Sequence, residues 1–129
     1  MSRNGQTARK QAPRSTNPED YQRVPRAVAA MPKDFAAGHL IASHHHTRAQ
    51  LIYATAGTMR VSTDTAVWVV PPQRALWMPA GVRHSIAMSG DVTMRTLYLR
   101  DDAAAGMPGA CRVLPVSPLL RELIVRATE

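Results

Sequence analysis

Gly38-His39-Leu40-Ile41-Ala42-Ser43-His44-His45-His46-Thr47-Arg48-Ala49-Gln50, running on to Gly57, is the stretch on which the fold turns. On an extended strand, residues two apart share a face, so His44 and His46 project together while His45 projects away. On a helix the same pair would diverge and could not share an ion. Read as strand, the run is a two-histidine clamp. Gln50 lies four residues further on, past the polar Thr47-Arg48 bend, where the next strand begins. His84 follows Pro79-Ala80-Gly81, a rigid turn that can bring a later strand back beside the first. Three neutral imidazoles and an amide oxygen suit a divalent metal, zinc before nickel or iron. The spacing leaves a second reading open: three histidines in a row also make a polar loop, and His84 also makes a half-exposed strand residue.

Outward from this stretch the chain continues as short strands. Gln50–Thr55, Thr58–Ser62, Ala66–Val70, Arg74–Met78 and Val92–Arg100 are rich in β-branched, aromatic and Met residues. Turn chemistry separates them at Gly57, Thr63-Asp64-Thr65, Pro71-Pro72, Pro79-Ala80-Gly81 and Ser89-Gly90-Asp91. Met59/Val61 and Met94/Thr96/Tyr98 alternate with Arg60 and Arg95, as burial of one face requires. Many short antiparallel strands predict a sandwich or a small barrel, and a barrel leaves no open edge.

The end of the chain changes period. Ser117 is a good N-cap and Pro118 suits the first helical position, so Ser117 to Thr128 is predicted helical. Leu119, Leu120, Leu123 and Ile124 fall on one stripe, with Arg121, Glu122 and Arg126 elsewhere. The stripe can pack on the barrel, form a dimer seam, or divide between the two; a mixture is expected, because dimers are common.

The 129 residues suit one domain, and 45% hydrophobic content supports a core. No run approaches the roughly 20 apolar residues of a membrane span, and the start has no apolar signal-peptide segment. Cys111 is the single cysteine, which fits a reducing cytoplasm. The formal charge of +7 invites a nucleic-acid reading. Residues 1–26, however, carry six basic residues against Glu19 and Asp20, so a polar, Pro-containing leader holds more than half of the excess. The expected organisation is a flexible basic tail over 1–25, a barrel over 26–115 and a closing helical segment over 116–129.

Two motifs carry a family resemblance. Gly38-x5-His44-x-His46-x3-Gln50-x6-Gly57 resembles the first cupin motif, with glutamine in place of glutamate. Pro79-x-Gly81-x2-His84 resembles the heart of the second, with Gln73 at its opening glycine and Met88 at its closing asparagine. The resemblance implies an all-β fold, a small cupin (jelly-roll) β-barrel with a C-terminal α-helix and a flexible N-terminal tail. It also carries the metal ligands over onto His44, His46, Gln50 and His84. The Gln50 amide brings no negative charge to offset a dication and cannot serve as a general base. The strings Gln50–Ala54, Trp68–Val82 and Val116–Ile124 resemble the N-terminal domain of AraC-type transcriptional regulators. That resemblance implies a ligand sensor and dimerisation unit, a small-molecule effector, a homodimer, and DNA contact only through a helix-turn-helix domain for which this chain has no room.

Tyr53, Trp68, Trp77, Met59 and Tyr98 are candidates for a ligand pocket, although in a small barrel such residues are as readily core. Arg74 and Arg83 suit an anionic ligand or solvent equally. No catalytic residue is assigned, since neither a nucleophile elbow nor a glycine-rich phosphate loop is present. The competing reading is a small metal-dependent cupin enzyme, a dioxygenase or isomerase.

Overall fold

Alternating burial and well-placed turns yield eight strands in the computed structural model, which describes residues 14–129. They are β1 (Val28–Phe35), β2 (Leu40–His44), β3 (Ala49–Ile52), β4 (Ala54–Ser62), β5 (Val67–Val70), β6 (Arg74–Met78), β7 (His84–Leu99) and β8 (Arg112–Pro115). A 3-10 turn at Pro18–Tyr21 precedes them and helix α1 (Pro118–Ala127) closes the chain.

The long strand β7 organises the barrel. Its first half pairs antiparallel with β2 and β4, and its second half with β1 and β3. One strand therefore belongs to both walls; β5 extends the first wall, and β6 and β8 extend the second. The result is a nearly closed barrel, which hides most strand edges. Along β7, His84, Ile86, Met88, Val92, Met94, Thr96 and Tyr98 are buried in a single inward row. Ile52, Met59, Val61, Val70 and Leu76 fill the interior beside that row. Each such side chain contributes about 1.5–3 kcal/mol through burial.

The turn expected at Ser89-Gly90-Asp91 is corrected: these residues are an exposed bulge within β7. Thr58 faces Ser89 while Ala56 faces Thr93, so β7 carries extra residues over that interval and bows outward without reversing. Gly90 adopts φ +74° there.

The flexible tail expected over 1–25 is corrected for residues 14–25; its first thirteen residues lie outside the described residues. Tyr21 is buried and its ring stacks 6.1 Å from that of Tyr98. Buried Arg48 holds the segment down, donating from its guanidinium to the carbonyls of Gln22 (3.0 Å) and Val24 (2.7 Å). The Gln22 side chain accepts from the Arg48 backbone N–H in return. A guanidinium inside a polar-leader interface was invisible to composition, because its partners are backbone carbonyls.

Helix α1 starts as expected, with Ser117 Oγ accepting from the Leu120 N–H at 3.1 Å. The apolar stripe divides. Ile124 is buried and Leu120 half-buried against Leu51, Tyr53, Ala75 and Trp77, whereas Leu119 and Leu123 remain 70% and 58% exposed. Neighbouring helical positions differ by about 100°, so one pair faces the barrel and the other looks outward. No described helix is long and apolar enough to cross a membrane.

Candidate metal centre

Two backbone features bring the histidines together. Between β2 and β7 the pairing shifts register: Ile41 faces Ile86, but His44 faces His84. The extra residue in β2 puts His44 where an unbroken ladder would put Ser43, turning its ring toward the barrel mouth. His46 lies just past the end of β2, and its carbonyl accepts from the Gly81 N–H at 2.9 Å. That bond ties the Pro79-Ala80-Gly81 turn, and hence His84 three residues on, to the first motif. Gly81 has φ +80°, a conformation that favours glycine.

The expected convergence is observed. The ring of His44 lies 4.7 Å from that of His46 and 4.3 Å from that of His84. One nitrogen from each of the three falls within 4.8 Å of the others, a spacing compatible with a shared ion. Nδ1 of His84 faces the Val82 carbonyl at 2.9 Å, and Nδ1 of His44 faces the Ala42 carbonyl at 2.8 Å. A carbonyl only accepts, so Nδ1 carries the proton in both and Nε2 is left with a bare lone pair.

Gln50 is oriented by a similar relay. Thr96 Oγ1 donates to the Leu51 carbonyl at 2.8 Å, so toward Gln50 it can only accept. It takes the Gln50 Nε2–H at 2.9 Å, with the Tyr98 hydroxyl a second acceptor at 3.4 Å. The amide oxygen is thereby turned away from its hydrogen-bonded nitrogen. His46 Nδ1, Gln50 Oε1 and His84 Nε2 are all buried without a hydrogen-bond partner. An unsatisfied buried acceptor costs about 1–3 kcal/mol, and two of these three belong to the histidine cluster, where a cation would take their lone pairs.

Burial, followed by the neighbouring imidazoles, pushes His46 down from 6.5 to about 4; burial pushes His84 to about 4 as well, against the opposing bond to the Val82 carbonyl. Both rings are therefore neutral at pH 7. The native rings refuse protons that the unfolded chain accepts below pH 6.5, so their contribution to stability is full above that pH and declines toward pH 4. Chelator-treated protein is accordingly expected to show a urea midpoint that falls from pH 7.5 to 5. A midpoint that stays level over this range would mean the rings protonate freely in the native state.

A cavity of about 500 Å³ opens beside the centre, with His44, His46, Gln50 and Tyr98 in its lining. Of the five expected pocket residues, Tyr98 lines it. The other four are corrected. Gln50 and Ile52 face inward on β3, so Leu51 and Tyr53 face outward, and Trp77, opposite Leu51, does the same; both aromatics lie under α1. Met59 points inward but belongs to the apolar cluster filling the barrel. Trp68 lines a separate cleft with Pro79, Val82 and Cys111. Arg83 braces the outside of the centre, bonding to His45 Nδ1 at 3.2 Å.

A family model described as the AraC-like ligand binding domain matches residues 35–129. The chain belongs to that family. Over 82 residues it is 40% identical to the HTH-type transcriptional regulator NimR of Escherichia coli (strain K12). The match covers 64% of this chain and spans 30% of that regulator's length. Among solved structures, a cupin superfamily protein from Desulfitobacterium hafniense is similar over 70% of this chain and 94% of its own, at 20% identity and a TM-score of 0.51. Bacillus subtilis oxalate decarboxylase, described with Mn(II) centres, is similar over 58% of this chain and 22% of its own, at 20% identity and a TM-score of 0.54. At such identities these two show the fold, which is a cupin barrel.

In this AraC-like domain the cavity walls include residues that sequence reading passed over: Met31 and Phe35 on β1, Ile41 on β2, and Ile86 on β7. Alternation along β7 already placed Thr96 on the row of Met94 and Tyr98. Only its hydroxyl relay to Gln50 reveals its role.

Proposed function

We propose that this domain senses a small molecule for a transcription regulator, using a divalent metal held by His44, His46, His84 and Gln50. The observation that carries the reading is the cluster of His44, His46 and His84, whose nitrogens lie within 4.8 Å of one another, with His46 and Gln50 also lining the cavity. Zinc is the preferred ion, nickel or iron the next, because the donors are three imidazole nitrogens and an amide oxygen. When bound, such an ion supplies Lewis acidity that anchors an effector donor atom. The chain's residues orient that ion and wall off the cavity. Gln50 cannot move a proton, which favours sensing over turnover.

Asn17, Pro18 and Glu19 of the N-terminal segment line the same cavity. An effector that binds one arrangement of this segment, or of α1, better than another shifts the population toward it. In a longer regulator that shift would alter the helix-turn-helix units that contact DNA. We assign a homodimer seam to the exposed Leu119 and Leu123 of α1, and a cytoplasmic setting in which Cys111 stays a thiol.

Metal analysis tests the centre: purified wild-type protein is expected to hold close to one ion per chain and His46→Ala at least tenfold less. Equal, near-zero contents would defeat the coordination. For the seam, sedimentation of a Leu119→Glu/Leu123→Glu variant is expected to shift toward monomer with its circular dichroism unchanged. A wild-type chain already monomeric at high concentration would remove it.

A further inference from the structure

The chemistry of the cavity narrows the effector class. Resting on the metal reading above, we propose that the cavity takes a small monocarboxylate with an apolar body, its carboxylate at the His44–His46–His84–Gln50 centre. Three observations converge on this ligand.

Charge is the first. The donor set is three neutral imidazoles and one neutral amide, so a dication there keeps its whole charge in a largely buried site. Uncompensated charge in such surroundings costs several kcal/mol. The chain supplies little relief: among the described residues lining the cavity the one carboxylate is Glu19, exposed on the N-terminal turn. Lys33, half-buried with its ammonium 5.4 Å from the Phe35 ring centroid, adds positive charge to the same wall. An anionic ligand offsets both.

Hydrogen bonding is the second. Gln50 Nε2 is committed to Thr96, leaving only an accepting oxygen. The Tyr98 hydroxyl accepts from Gln50 and retains its own proton. Tyr98 is thus a fixed donor beside the centre, suited to a ligand oxygen that accepts.

Shape is the third. Met31, Phe35, Ile41, Ile86 and Met94 supply an apolar wall to the cavity. Such a surface favours an aromatic or branched aliphatic body, and the two methionines adapt to its outline.

The test uses the full chain loaded with Co(II), whose visible spectrum reports its ligands. Uptake is measured first by metal analysis, then benzoate, acetate and the neutral isostere benzamide are titrated against the spectrum. Benzoate is expected to change it saturably, with benzamide and acetate at least tenfold weaker. Gln50→Glu, which supplies the missing charge from the chain, is expected to retain cobalt and bind benzoate at least tenfold more weakly. Cobalt bound with benzoate no better than benzamide, or with no response to either, overturns the carboxylate assignment and leaves the metal centre standing. No cobalt uptake overturns the metal reading and this inference with it.

Discussion

Gly57→Ala is expected to leave the chain without a stable fold. Gly57 has φ +80°, where any residue with a Cβ is strained by about 1–2 kcal/mol. The greater obstacle is space: an added Cβ would stand 2.3 Å from the Asp91 carbonyl oxygen, 2.8 Å from Val92 Cγ2 and 2.9 Å from Val92 Cα. Two of those atoms are backbone of β7, the strand shared by both walls, so relief requires shifting the barrel's central strand at its bulge. A total cost on the order of 4–5 kcal/mol is comparable with the whole stability of a small domain. Gly90→Ala is the matched control. Its φ is +74°, but nothing lies within 4 Å of the added carbon, so only the backbone strain should register. Urea unfolding of the two variants checks the contrast; equal midpoints would refute the close approach of Gly57 to β7.

Zinc is expected to raise the melting temperature of wild-type protein on the order of 10 °C and that of His84→Ala scarcely at all. Ligand at a hundredfold excess over Kd stabilises the native state by about 2.7 kcal/mol. In a domain of this length each kcal/mol shifts Tm by several degrees. The metal-free variant is informative too. His84 donates from Nδ1 to the Val82 carbonyl, so truncation removes a hydrogen bond and some packing, but it also removes the orphaned Nε2. These effects partly cancel, and the chelator-treated variant should melt within about 5 °C of wild type. Scanning both proteins with zinc and with chelator separates a ligand from a packing residue. A zinc shift of equal size in both would place the ion elsewhere.

The contrast between the two motifs shows where sequence reading reached. The clustering of His44, His46 and His84 was legible because a two-residue spacing on an extended segment and a proline–glycine turn constrain where those side chains go. Ser117 and the helix were legible for a similar reason: a cap acts on its own neighbours. The pocket aromatics were not. Tyr53 and Trp77 are apolar strand residues whichever wall they face, and a one-residue change of phase exchanges the two faces. The N-terminal segment misled through its polarity, since Arg48 holds it by backbone carbonyls that every sequence possesses.

Local patterns thus settled the chemistry available to this chain: an all-β barrel, three histidines able to meet, an uncharged glutamine in place of a carboxylate, a capped helix. Those follow from side-chain identity and short-range geometry. Long-range register decided the rest. The bulge that turns His44 rather than Ser43 toward His84, the hydroxyl relay that points the Gln50 oxygen, and the splitting of the α1 stripe each depend on pairing between segments far apart in the chain. Such pairings are chosen by the packing of the whole barrel, which no short window contains.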